Sequence, residues 1–173
     1  GVSVTTGIEN VIIGGLAGDA LTDADSNIAI GMSALSSDTK GNKSIAIGKG
    51  ALFNQNFTSS TDTHNTAVGH NAGLSVTTGV QNNLIGALAG DALTTGNSNV
   101  ALGYQALTTN TASHRNTAVG EFSLMNMNIT SDTNGYNTAV GYSAGAAITT
   151  GFQNTLMGGL AGDALTDADN NVA

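Results

Sequence analysis

The residues of this chain best suited to chemistry are three histidines, His64, His70 and His114, and a short acidic run. The run Asp23-Ala24-Asp25-Ser26-Asn27 recurs as Asp167-Ala168-Asp169-Asn170-Asn171. Alternating oxygen ligands suit calcium, but an EF-hand loop needs glycine at its sixth position and glutamate at its twelfth. Here Ile28 takes the sixth place, and a third copy of the segment has Thr95, Gly96 and Asn97 where the acids stood. The glycine-aspartate repeats of calcium-binding β-rolls are also absent. The run therefore reads as a solvated acidic corner. No His-x-His pair occurs, so the histidines read as corner or surface residues rather than metal ligands.

Hydrolysis by a serine would need a base and an orienting acid around the nucleophile. Serines are plentiful, but none is predicted in a Gly-x-Ser-x-Gly elbow between a strand and a helix. Glycine clusters such as residues 86–90 precede no helix and no lysine follows them, so they are not phosphate loops. The expectation is a chain with no enzymatic activity, no cofactor and no metal.

What must position these residues is a motif written ten times: Asn, any residue, a small apolar residue, an aliphatic residue, Gly, then Ala three residues later. Copies start at Asn10, Asn27, Ser44, Asn65, Asn82, Asn99, Asn116, Asn137 and Asn154, and a tenth at Asn171 runs off the end. The chain is thus expected to be a piece of a longer array. Starts lie 17 residues apart except for two gaps of 21, Ser44 to Asn65 and Asn116 to Asn137. A larger unit of 72 residues follows, present about 2.4 times: Ser3-Val4-Thr5-Thr6-Gly7 returns as Ser75-Val76-Thr77-Thr78-Gly79. A fixed short period is the signature of a solenoid, whose units contact only their neighbours. Residues 1–173 accordingly read as one solenoid.

Glycine occupies the fifth motif position in every full copy, from Gly14 to Gly158. Such glycines disfavour helix by about 1 kcal/mol each. A run such as Asn27-Ile28-Ala29-Ile30-Gly31 is short, β-branched and closed by a turn former, which describes a strand. At about 3.3 Å per residue, a 17-residue turn accommodates two short strands and two corners. The predicted fold is all-β, a parallel β-roll or β-helix with 17- and 21-residue turns. The extra residues of the long turns fall within 58–64 and 130–136, polar stretches predicted to project as solvent loops. Thr61, His64, Asn128 and Tyr136 are the candidate receptor-contact residues of these turns. Asn10, Asn27, Asn65, Asn82, Asn99, Asn116, Asn137 and Asn154 are predicted to stack as a ladder that satisfies corner backbone groups.

Composition narrows the partners. Charged residues make up 9% and aromatics 4%, with no Trp, Pro or Cys. A narrow core of Ala, Val, Ile and Leu is within reach, an aromatic-rich one is not. The net charge of −8 opposes nucleic acid, whose phosphates call for clusters of Lys and Arg. No apolar run approaches the roughly 20 residues needed to span a bilayer as a helix, so neither nucleic acid nor membrane insertion is expected.

The third and fourth motif positions carry the strongest inference about assembly. The third is small or aliphatic, as in Ala67, Ala101 and Ala139, and the fourth aliphatic or Met, as in Val68, Leu102 and Val140. Adjacent strand residues point to opposite faces. One column is therefore expected to fill the core of its own chain, while the other faces identical neighbours around a symmetry axis. The alternative is a thicker monomeric helix that buries both columns internally.

The segments Asn65-Thr66-Ala67-Val68-Gly69-His70-Asn71-Ala72-Gly73 and Asn137-Thr138-Ala139-Val140-Gly141-Tyr142-Ser143-Ala144-Gly145 resemble repeats of phage tail-fibre proteins. They are also similar to the head repeats of trimeric autotransporter adhesins, which form left-handed parallel β-rolls assembled as trimers. The adhesin turn is about 14 residues long, so the 17- and 21-residue turns here imply different corners. The resemblance covers nearly the whole chain. It implies a left-handed roll assembled as a homotrimer, serving as a structural segment of a viral tail fibre or related surface fibre. Such a segment would lie in the virion or at the cell surface and space or present surfaces for a host glycan or protein. A bacterial adhesin head is the nearest alternative. An ice-binding solenoid is the alternative of another class, prompted by the pairs Thr77-Thr78, Thr94-Thr95, Thr108-Thr109 and Thr149-Thr150.

Overall fold

The structure, a computed structural model, describes residues 2–173. Each full motif copy forms a three-residue strand, and the nine stack in chain order into one parallel sheet. They are β1 (Val11–Ile13), β2 (Ile28–Ile30), β4 (Ile45–Ile47), β6 (Thr66–Val68), β7 (Asn83–Ile85), β8 (Val100–Leu102), β9 (Thr117–Val119), β10 (Thr138–Val140) and β11 (Thr155–Met157). Two shorter strands, β3 (Gly41–Asn42) and β5 (Thr61–Asp62), pair separately in parallel. Among the described residues there is no helix. The register keeps motif positions aligned: Ala29 lies beside Ala46, Ala46 beside Ala67, and Ala67 beside Leu84. The chain is an all-β parallel solenoid of about nine turns.

Such short strands suffice because the hydrogen-bond ladder continues around the corners. Gly31 N donates to Ile13 O on one side, while Leu35 N donates to Ala51 O on the other. Four residues per turn hold positive φ: the one before the motif Asn, the fifth, the seventh and the ninth, as in Tyr136, Gly141, Ser143 and Gly145. At the fifth position only glycine serves. Gly69 has φ +139°, and a Cβ there would lie 2.5 Å from Gly86 O, within the backbone of the next turn.

Third-position residues from Ala29 to Leu156 are fully buried and form the core with the eighth-position alanines and further Leu, Val, Ile or Met side chains, one in most turns and Leu124, Met127 and Ile129 together in the second long turn. Burying each leucine contributes roughly 2 kcal/mol. Gly and Leu alternate at the ninth position because Leu84 and Leu156 claim that space. Leu84 Cδ atoms lie 2.7 and 2.8 Å from where a Cβ of Gly73 or Gly90 would stand. Large third-position residue and ninth-position glycine thus fill one volume jointly.

The fourth position faces outward, with Ile13 58%, Ile85 40% and Met157 65% exposed. The second position shares this face, which sequence reasoning did not draw out: Val11, Ile28 and Ile45 in the first turns, mostly threonine later. One side of the solenoid is therefore a sheet of nine strands with an outward apolar stripe.

The long turns are tied down more firmly than a projecting loop would be. Residues 58–60 and 130–132 are exposed, but Thr61 and Asp62 form β5, Thr63 and Gly135 are buried, and Phe57 and Ile129 face inward. The four extra residues widen the solenoid locally, and only their tips protrude.

Candidate functional site

The asparagine column is the spine of one corner. Asn99 is fully buried; its Nδ2 donates to Ser113 O at 3.0 Å and to Asn82 Oδ1 at 3.2 Å, and its N donates to the same Oδ1 at 3.0 Å. Its own Oδ1 receives Asn116 N and Nδ2. Asn27, Asn65, Asn82, Asn116, Asn137 and Asn154 are likewise buried, while Asn10 is half-buried at the first turn and holds Ala24 O at 2.7 Å. Among the described residues no buried side-chain nitrogen or oxygen lacks a partner.

Ser44 interrupts the column, and the repair comes from residues that sequence reasoning missed. Gln55 Nε2 reaches Ser44 Oγ at 2.8 Å and Asp38 Oδ2 at 2.7 Å, and Gln55 Oε1 receives Asn65 Nδ2 at 2.8 Å. Asp38, fully buried, also accepts the backbone N of Gly41 and of Phe57, each at 3.0 Å. The signal was present in the 72-residue comparison, since Gln55 stands where Met127 stands later.

A threonine column lies at another corner. Thr5, Thr22, Thr77, Thr94 and Thr149 donate their hydroxyls to carbonyls of the next turn, as Thr94 Oγ1 does to Thr111 O at 2.9 Å. Asn56 and Asn128 occupy this column in the long turns. Asn128 N donates to Thr149 O and its Oδ1 receives Thr111. The outer threonines beside it, Thr6, Thr78, Thr95 and Thr150, are interrupted by Asp23, Lys40 and Ala112.

The remaining chemistry-bearing residues scatter. Asp25 Oδ1 caps Ile8 N at 2.8 Å, and Asp169 Oδ1 caps Phe152 N at 2.7 Å. Asp23 receives the Thr22 hydroxyl, the main reason its pKa is lowered, with Lys40 at 3.6 Å adding to the effect. His114 Nδ1 accepts Asn97 N, its Nε2 meets Asp132 at 2.5 Å, and His64 and His70 are exposed elsewhere. No group of three His, Asp or Glu poised for a metal occurs among the described residues. The letters Gly-x-Ser-x-Gly do occur at Gly141-Tyr142-Ser143-Ala144-Gly145, yet Ser143 sits at φ +51° in a turn that no helix follows. Every turn repeats that positive φ at the same position.

Residues preceding each motif Asn point outward, and here the two long turns diverge. In the first, Lys43 Nζ bonds Asp62 at 2.5 Å, holding that carboxyl below its usual range; Thr61 is half-buried and His64 exposed. In the second, Arg115 Nη1 donates to Asn134 Oδ1 at 2.6 Å, and its guanidinium lies 5.9 Å from the Tyr136 ring centre. Two hollows meet at Asn134. The smaller, about 270 Å³, includes His114, Arg115 and Asp132; the larger, about 420 Å³, includes Tyr136, Phe152 and Gln153.

Fold and surface together define a class, the all-β parallel solenoid with an outward apolar sheet and a decorated corner. Compared with known families, curated proteins and solved structures, the chain matches no family model, no curated protein and no solved structure at a significant level.

Proposed function

We propose that the chain is a structural segment of a trimeric viral tail fibre, or of a related surface fibre, that spaces and presents host-receptor-binding surfaces. Its role is mechanical and not enzymatic, and its place is the virion or the cell surface. The left-handed, trimeric arrangement follows the resemblance carried by the Asn-Thr-Ala-Val-Gly motifs, and the 17- and 21-residue turns follow the spacing of the motif copies. The observation that carries the reading is the outward fourth-position column of the nine-stranded sheet, aliphatic or Met in every strand from Ile13 to Met157. A monomer leaves this stripe in water, and three copies around an axis cover it. Host contacts, weak singly, would then be multiplied by symmetry.

Light scattering coupled to size-exclusion chromatography tests the assembly. A mass of three chains is expected, and Val68→Asp with Leu102→Asp should reduce it to one. A parent mass of one chain, 17.1 kDa, overturns the fibre reading. The threonine column gives the ice-binding alternative little support, because its hydroxyls are engaged within the ladder and its outer neighbours are interrupted.

A further inference from the structure

The 72-residue repeat supplies an internal control for separating architecture from function. Positions that serve the solenoid either recur between blocks or change while keeping their contact, as Asp169 caps Phe152 N where Asn97 caps Val80 N. Outer positions whose contacts change as well are the ones that set the two corners apart. At and beside the second long turn several outer residues differ from their equivalents 72 residues earlier; His114 for Asn42, Asp132 for Ser60 and Asp169 for Asn97 are three of them, and four more concern the cation and the aromatic rings. Arg115 stands for Lys43, Asn134 for Asp62, Tyr136 for His64 and Phe152 for Val80.

The change is coherent in chemistry. In the first block the cation is neutralised by Asp62. In the second, no carboxylate lies within salt-bridge distance of Arg115 among the described residues, and the guanidinium is held by neutral Asn134 and by the Tyr136 ring. That contact orients the side chain and leaves donors of its planar fork free, a geometry that suits a carboxylate in two-point contact. Beyond Asn134 the larger hollow adds two aromatic side chains and the Gln153 carboxamide. Aromatic surface covers the C–H face of a sugar ring, and amides exchange hydrogen bonds with its hydroxyls. Both hollows are near the size range of small-molecule sites, the larger within it. Asp132 and Asp169 also border them, but the first bonds His114 and the second caps Phe152 N.

We propose that this corner binds a carboxylate-bearing saccharide unit, with Arg115 taking the carboxylate and Tyr136, Phe152 and Gln153 taking the ring. The assignment deepens the receptor-presenting reading and rests on it for its biological sense, but its test is independent of assembly. The full chain, in whatever oligomer it forms, is titrated with glucuronic acid and with glucose while the NMR signals of the Arg115 side chain and the Tyr136 and Phe152 rings are followed. Saturable shifts are expected with glucuronate, and at least about tenfold weaker binding with glucose. Asn134→Asp, which reinstates the first-block neutralisation, and Arg115→Gln should each abolish the preference. Phe152→Val should weaken both sugars, and Lys43→Gln should change nothing. Equal binding of the two sugars, an unaffected Asn134→Asp variant, competition by inorganic phosphate as strong as by glucuronate, or no saturable shift would each overturn the proposal. A monomeric mass with intact glucuronate binding would sink the trimer and leave the site standing.

Discussion

Ser44 Oγ and Thr63 Oγ1 share a hydrogen bond of 2.6 Å in the core of the first long turn. One block later Asn116 and Gly135 stand at these two places. A Cβ on Gly135 would lie 2.2 Å from Asn116 Oδ1, so the longer amide requires the missing side chain. Each pair fits its own turn, and mixing them does not.

Gly135→Ala alone should therefore destabilise the chain by about 2 kcal/mol through overpacking. Asn116→Ser alone should also destabilise, since it breaks the ladder. Combined, they should cost less than their sum by at least about 1 kcal/mol. A thermal-unfolding double-mutant cycle measures this, and strict additivity would contradict the pairing.

Asn99→Ala removes the acceptor of Asn116 N and the donor to Ser113 O, both buried. A loss of about 1 to 3 kcal/mol is expected. A melt superimposable on that of the parent would count against the ladder as a source of stability.

Fifth-position glycines should be intolerant. Gly86 has φ +133°, and a Cβ there would meet Gly103 O at 2.4 Å, whereas Gly159 has nothing within 4 Å. Gly86→Ala should cost roughly 3 kcal/mol or more through strain and clash together, and Gly159→Ala should be close to neutral. Comparable melting temperatures for the two variants would refute the close approach of backbones.

The Lys43 ammonium bonded to Asp62 lowers that carboxyl below its usual range. A carboxyl with a depressed folded pKa adds stability above its unfolded pKa, and that contribution disappears as pH falls through the folded value. The Asp62 side-chain carbon should titrate below an ordinary aspartate by NMR, and Lys43→Met should move its midpoint upward. An unchanged midpoint would show that the ion pair does not set it.

Much of the architecture was legible in the sequence because a solenoid repeats its constraints. The recurring Asn, the invariant Gly and the aliphatic period imply parallel stacking, and the register of Ala29, Ala46 and Ala67 follows that period. The repair of the column by Gln55 was hidden, because Gln55 lies 11 residues from Ser44 and their contact crosses the core. The burial of Phe57 and Ile129 was hidden too, since polar neighbours made both long turns look like loops.

By itself the sequence determined the number of turns, their alignment and the two faces of each strand, since these depend on period and on backbone sterics at glycine. Only the tertiary structure decided which apolar column faces in, because alternation separates the faces without naming the inner one. It also decided which outer side chains meet. Arg115 and Tyr136 are 21 residues apart and come together only because one turn stacks directly on the last.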